Sequence, residues 1–253
     1  MCDLFNIAGK KAIVTGGTRG LGYGMAEGLL EAGCEVCIVG TSDNVYAVAK
    51  DFCGRGYKCH GVKADLNNLE GIPACFAACM DQLGDLDIIV LSHGIQRRNT
   101  FENFAVTDWN DVMNVNLNSV FLMSQEAVRI MLPKNYGKII IVSSMAAYFG
   151  CSNVSAYAAS KGGVTQLAKA MGNDLAGRGI NVNCLAPGHM ATDMCAALSI
   201  SDNPRSKQIL ARTPKGRLGT GEDMKGPCIF LASHASDYLS GAVIPVDGGY
   251  LTM

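Results

Sequence analysis

The chain predicts an α/β fold: a single doubly wound domain in which one parallel sheet carries helices on both faces. Three observations predict it. An apolar strand runs directly into a glycine-rich turn and an amphipathic helix between Lys10 and Gly33. Strand-like and helix-like stretches then alternate regularly as far as Val246. No internal repeat, linker or low-complexity segment divides the 253 residues, a length that one α/β domain commonly reaches, so 1–253 reads as one domain.

Composition narrows the functional classes. With 49% apolar residues, 17% charged residues and a net charge of -1, the chain has material for a large core, and its charge suggests no nucleic-acid partner. No apolar run approaches the ~20 residues that a membrane span needs. Asp3 and Asn6 interrupt the N-terminus before any signal-like segment develops. The expectation is a cytoplasmic protein. Eleven cysteines are scattered through apolar segments, with one Cys-x-x-Cys from Cys34 to Cys37, and no repeat at zinc-site distance. They read as reduced thiols, and no metal site is expected.

The elements follow in order. A buried strand ends at Thr15, and the turn Gly16-Gly17-Thr18-Arg19-Gly20-Leu21-Gly22 leads into a helix with Leu21, Met25, Leu29 and Leu30 on its apolar side. Glycines at 16, 20 and 22 let the backbone approach a pyrophosphate, whose charge meets the N–H groups and positive end of the helix. Thr18, Arg19 and Leu21 share that turn. The next strand, Glu35–Val39, completes a βαβ unit and ends in Gly40-Thr41-Ser42, where an acidic residue would select NAD. With Thr41 there and Arg19 available to a 2′-phosphate, the local chemistry tilts towards NADP(H) over NAD(H). The alternative is that Asp43 reaches back to the ribose, or that Arg19 is solvated.

A third strand, His60–Ala64, ends at Asp65-Leu66, where the carboxylate either accepts from an adenine amino group or caps the helix that begins near Leu69. The strand Asp87–Leu91 closes in Ser92-His93-Gly94, followed by Ile95-Gln96-Arg97-Arg98. One long helix is expected over Trp109–Ile130, with Asn116 inside it. Strands over Lys138–Ser143 and Asn181–Leu185 present Ser144 and Pro187-Gly188 at their ends, and Ala242–Val246 closes the series.

Between those strands, a helix through Ser155–Lys161 sets Tyr157 and Lys161 one turn apart on the same face, and Ser144 lies thirteen positions before the tyrosine. An ammonium beside a phenol lowers its pKa from near 10 towards the range where it exchanges protons with a substrate oxygen. A hydroxyl such as Ser144 can hold that oxygen in place. This is the chemistry of a carbonyl.

Taken together, Thr15-Gly16-x-x-x-Gly20-x-Gly22, Asn116, Ser144, Tyr157-x-x-x-Lys161 and Pro187-Gly188 make the chain resemble the classical short-chain dehydrogenase/reductases over essentially its full length. The resemblance implies a Rossmann fold, a nicotinamide cofactor and a homotetramer. It implies Tyr157 as the acid-base, Ser144 as the group orienting the carbonyl or hydroxyl, Lys161 as the residue that tunes the tyrosine and binds the nicotinamide ribose, and Asn116 as the holder of a relay water. Thr192 would touch the carboxamide or the phosphates. One stretch departs from the family: Leu91-Ser92-His93-Gly94 stands where Asn-Asn-Ala-Gly is common. Gly94 keeps the close approach to the cofactor, Ser92 inherits the sheet-bracing bonds, and His93 brings an imidazole near the adenosine side, as a structural or a catalytic group.

Several runs look like the sugar-acid dehydrogenases of that family, those acting on 2-dehydro-3-deoxygluconate or gluconate. They are Gly94–Arg98, Trp109–Met113, Arg212–Arg217 and Gly226–Tyr238. Arg97 and Arg98 would then fork a substrate carboxylate, or alternatively form subunit salt bridges. Ser144, Met145, Tyr157 and His189 would line the pocket. The segment 190–221, interrupted by Pro204 and Pro214, reads as a substrate lid or as a surface excursion. The runner-up substrate is a 3-oxoacyl thioester or another carbonyl reduced with NADPH, which the Gly40-Thr41-Ser42 and Arg19 combination also fits.

Overall fold

A computed structural model describes residues 3–192 and 204–252. Among these residues seven strands form one sheet: β1 (Lys11–Thr15), β2 (Glu35–Gly40), β3 (Cys59–Lys63), β4 (Ile88–Leu91), β5 (Gly137–Val142), β6 (Ile180–Pro187) and β7 (Val243–Val246). Their order is β3-β2-β1-β4-β5-β6-β7, and every pairing is parallel. The central strands read as continuous Val, Ile and Leu because both of their faces are covered.

Eight helices provide the cover: α1 (Gly20–Glu31), α2 (Asn44–Gly54), α3 (Ile72–Leu83), α4 (Val106–Met113), α5 (Ser119–Met131), α6 (Ser155–Leu175), α7 (Pro204–Ala211) and α8 (Gly221–Ala232). Strand periodicity sorts the side chains into two cores. Ile13, Cys37, Ile89 and Ile139 point to one face and pack with Phe76, Met123 and Val164 of α3, α5 and α6. Their neighbours Val14, Val36, Val90 and Ile140 point to the other face and meet Leu29, Phe52 and Leu231 of α1, α2 and α8. A smaller third cluster joins Met145, Ile209 and Tyr250, so α7 is docked beside the C-terminal turn.

The strand order reverses at β1, whose neighbours are β2 on one side and β4 on the other. A crevice opens there at the carboxyl ends of the strands, the usual ligand position in such sheets.

Two expectations change. The single helix expected over Trp109–Ile130 begins at Val106 and is split, with a π-helical turn over Asn114–Asn118 between α4 and α5. Tertiary hydrogen bonds to Asn116 and Ser119 hold that turn, and an apolar periodicity does not register them. Of the segment 190–221, α7 and the start of α8 are described, whereas 193–203 lies outside the described residues. Among the described residues no helix is long and apolar enough to cross a membrane, and no group of His, Cys, Asp or Glu is placed to hold a metal ion.

Candidate active site

The crevice is a cleft of about 350 Å³, and all sixteen residues named above for the cofactor line it, from Gly16 and Thr18 in the first turn to Pro187, Gly188 and Thr192. It begins at the N-terminus of α1. Arg19 occupies the N-cap position with no side-chain capping bond, which leaves the helix's first N–H groups to an anion. Two glycines make the approach possible. Gly16 has φ +67°, in the left-handed region, and its Cα hydrogens face the His93 backbone, where a Cβ would stand 3.0 Å from Cα. A Cβ on Gly22 would overlap the Gly16 carbonyl. Thr192 stands over Gly20, 3.4 Å from where a Cβ would be. This glycine cradle and uncapped helix end fit a dinucleotide pyrophosphate.

Along the cleft, Gly40 and Thr41 follow β2, and Asp65 and Leu66 follow β3. Asp65 accepts from the Asn67 backbone N–H at 2.9 Å, an Asx turn that holds its carboxylate at the rim, so it serves the local backbone rather than capping a helix. Asp43 is ion-paired to Lys63 at 2.9 Å. That engagement ties its exposed carboxylate to the end of β3, and Asp43 is not among the residues that line the cleft.

At the opposite end the catalytic candidates meet. Lys161, on α6, is buried, and its ammonium donates to the Val142 carbonyl at 2.7 Å and stands 5.7 Å from the centroid of the Tyr157 ring. Burial lowers its pKa from 10.5 to about 8, so it remains mainly charged at neutral pH. Ser144 is in extended conformation at the end of β5, and its hydroxyl accepts from the Ala146 N–H at 3.1 Å. Asn116 lies behind this wall, fully buried. Its side chain accepts from the Ile95 N–H at 2.8 Å, donates to the Ile95 carbonyl at 3.0 Å and donates to Ser160 Oγ at 3.1 Å.

The substrate-side residues separate. Arg97, on the loop after β4, reaches Asp108 at 3.5 Å and Asp111 at 3.6 Å, both on α4, and lies outside the cleft lining. Both of these partners lie in the same chain. Arg98 is exposed on the loop whose Asn99 N–H donates to the Asn153 carbonyl at 3.1 Å, and its charge acts on Cys151. Met145 is buried in the third cluster, as packing. His189 meets the Tyr250 ring edge-on at 5.0 Å, and burial with the charges of Arg205 and Arg212 lowers its pKa to about 4. Arg205 acts on both Cys151 and His189, and Arg212 lies over the Tyr250 ring at 4.4 Å. Arg205 and Arg212 were not singled out in the sequence, although the run beginning at Arg212 was among the family-like stretches.

His93 is placed differently from the expectation. Its imidazole is turned inward, with Nδ1 2.6 Å from Thr15 Oγ1 and Nε2 2.7 Å from Ser119 Oγ, on the side of Lys161 rather than towards the adenosine end. Burial, with the Lys161 charge as the second cause, lowers its pKa to about 3. The brace assigned above to Ser92 is therefore made by His93; Ser92 contributes its backbone N–H, which donates to Thr15 Oγ1 at 3.2 Å.

Residues 16–251 match the family model described as enoyl-(acyl carrier protein) reductase. The 2-dehydro-3-deoxy-D-gluconate 5-dehydrogenase of Escherichia coli K12 is 42% identical over 248 residues, covering 98% of this chain and 97% of that protein. The gluconate 5-dehydrogenase of Gluconobacter oxydans is 36% identical over 252 residues, covering 98% and 95%. The crystal structure of a gluconate 5-dehydrogenase from Burkholderia cenocepacia in complex with NADP and tartrate superposes with a TM-score of 0.94 at 36% identity, covering 99% of this chain and 98% of that one.

Proposed function

The chain belongs to the short-chain dehydrogenase/reductase family and is an NAD(P)-dependent oxidoreductase acting on CH–OH groups; from that premise we propose that it interconverts a hydroxyl and a keto group of a sugar acid of the gluconate or 2-dehydro-3-deoxygluconate type, with NADP(H) preferred. The observation that carries the reading is the convergence of Ser144, Tyr157 and Lys161 at one end of a cleft whose other end is an uncapped, glycine-cradled helix terminus.

Tyr157 holds the proton that the substrate oxygen takes up or gives back. Lys161, charged and buried beside it, favours the phenolate and binds the nicotinamide ribose. Ser144 orients the substrate oxygen. Asn116 holds the water through which the proton reaches Lys161. The nicotinamide, when bound, supplies or receives the hydride. Gly16, Gly20 and Gly22 let the pyrophosphate close on α1, and Arg19 with Thr41 meets the 2′-phosphate. The pairing of Asp43 with Lys63 supports NADP(H), because it gives the nearest carboxylate after β2 a cationic partner other than the ribose hydroxyls. The segment 190–221 acts as the substrate lid, with Ile209 of α7 seated on Met145 next to Ser144.

Arg98, together with Arg205 and Arg212, meets the substrate carboxylate. The tartrate carried by the Burkholderia enzyme, itself a hydroxy acid, supports a carboxylate-bearing substrate. The chain works in the cytoplasm as a homotetramer; the exposed Phe101, Val106 and Phe121 are apolar surface that further copies would cover, and light scattering tests the assembly. The second reading is a 3-oxoacyl thioester reductase, favoured by the acyl-carrier description of the matching family model.

The test is consumption of NADH and NADPH by purified protein against 5-ketogluconate, 2,5-diketo-3-deoxygluconate and an acetoacetyl thioester. Turnover of a keto sugar acid is the expected result. Turnover of the thioester alone would transfer the protein to the second reading.

A further inference from the structure

His93 bridges two elements that the reaction requires to stay in register. Ser119 has one hydroxyl proton, and its short bond to the Val115 carbonyl, 2.7 Å, takes it. The hydrogen between His93 Nε2 and Ser119 Oγ therefore belongs to the imidazole. Nδ1 is then the acceptor, and Thr15 donates to it at 2.6 Å in preference to the Val90 carbonyl at 3.3 Å. One directed chain results: Ser92 N–H to Thr15, Thr15 to His93, His93 to Ser119, Ser119 to Val115.

The last link acts on helix geometry. The Ser119 N–H reaches back five residues to the Asn114 carbonyl, as a π-turn requires. In an α-helix it would serve the Val115 carbonyl, and the Ser119 hydroxyl serves that carbonyl instead. Inside the widened turn lies Asn116, tied at both ends of its amide to Ile95. The loop after β4 thus clamps the helix twice, through His93 to Ser119 and through Ile95 to Asn116. Gly94 lies between the two clamps, and a Cβ there would stand 3.3 Å from Asn116 Oδ1 and 3.7 Å from Lys161 Nζ.

We infer that His93 is a positioning residue for hydride transfer: by donating from Nε2 to Ser119 it holds the π-turn open and keeps Asn116 in place beside Lys161. The inference rests on the proposed catalytic group and extends it to the position where the chain departs from the family pattern. The alternative use of the same imidazole, support of the glycine turn through Thr15, would act on cofactor binding.

Two variants separate these. His93→Gln places an amide N–H where Nε2 is and keeps the Ser119 bond, whereas His93→Asn places its amide at the Nδ1 position and keeps the Thr15 bond alone. The readouts are kcat at saturating cofactor, cofactor Kd by nicotinamide fluorescence, and amide hydrogen exchange across residues 114–120. His93→Gln is expected to stay within about threefold of wild-type kcat. His93→Asn is expected to lose roughly ten- to a hundredfold in kcat, with Kd nearly unchanged and exchange across the turn accelerated. The inference is overturned if His93→Asn matches wild type in kcat and exchange, or if Kd weakens as much as kcat falls. A wild-type protein that reduces none of the three carbonyls would defeat the proposed function, and the exchange comparison would still decide the clamp. If His93→Asn does not fold, Ser119→Ala takes its place with the same expected losses.

Discussion

The Lys161 ammonium donates to the Val142 carbonyl at 2.7 Å while standing 5.7 Å from the Tyr157 ring centroid. The bond pins the charge to the end of β5, the strand that also delivers Ser144, so Lys161 and Ser144 share one support while Tyr157 is carried one turn away on α6. The tyrosine is thus the group whose removal should affect chemistry rather than binding. Tyr157→Phe is expected to lower kcat at least about a hundredfold, in line with acid-base contributions, with cofactor Kd changed less than about threefold. Steady-state kinetics with a fluorescence titration checks this, and wild-type turnover would defeat the assignment.

The proposed preference for NADP(H) is tested at Arg19. Replacing it with Ala is expected to raise KM for NADPH roughly tenfold or more, the size of a charge-assisted hydrogen bond, and to leave KM for NADH nearly unchanged. The wild-type preference should weaken as salt is added, because exposed charge is screened. Equal effects on both cofactors would place Arg19 on the pyrophosphate instead.

The paired arginines should behave unequally. Arg97 is held by Asp108 and Asp111, so Arg97→Ala is expected to change KM for a sugar acid less than about threefold. Arg98→Ala is expected to raise that KM roughly tenfold to a hundredfold while sparing a thioester substrate. A reversed order would return the carboxylate to Arg97.

A buried histidine, His93, and a half-buried one, His189, predict acid sensitivity. His93 has its pKa lowered from 6.5 to about 3 by burial and the Lys161 charge, and His189 from 6.5 to about 4 by burial, Arg205 and Arg212. Between those values and 6.5 the unfolded chain binds protons that the folded chain refuses, so stability rises with pH across the window and is lost on acidification through it. Near pH 5, unfolding should take up about two protons from these residues, a slope of roughly 1.4 kcal/mol per pH unit for each. Urea denaturation from pH 6.5 to 5 checks this, and His93→Gln should remove about one proton of uptake. An unchanged slope in that variant would mean that His93 titrates normally.

Glycine 22 offers a steric test. A Cβ there would overlap the Gly16 carbonyl, which is backbone of the same turn, and would come 3.2 Å from Ser92 Oγ. Gly22→Ala is expected to weaken cofactor binding at least about tenfold and to lower the melting temperature, both measurable by thermal shift with and without NADP.

Much of this molecule is legible in its sequence. The sequence by itself determined the seven strands and their alternation with helices, because both faces of a parallel sheet must be apolar and the resulting runs are visible one residue at a time. It also determined the glycine turn and the Tyr157–Lys161 pair, since each is a local spacing. What only the tertiary structure decided depends on partners far apart in sequence. Arg97 cannot be told from Arg98 until Asp108 and Asp111 fold back to claim one of them. Arg205 and Arg212 come beside His189 through the docking of α7 in the cluster of Met145 and Tyr250. The π-turn at Asn116 interrupts a helix whose apolar pattern continues through it, because hydrogen bonds from Ile95 and His93, over twenty residues away, hold it open. Local sequence carries propensity and period, and the hydrogen bonds that override them are contributed by residues that come together only in the folded chain.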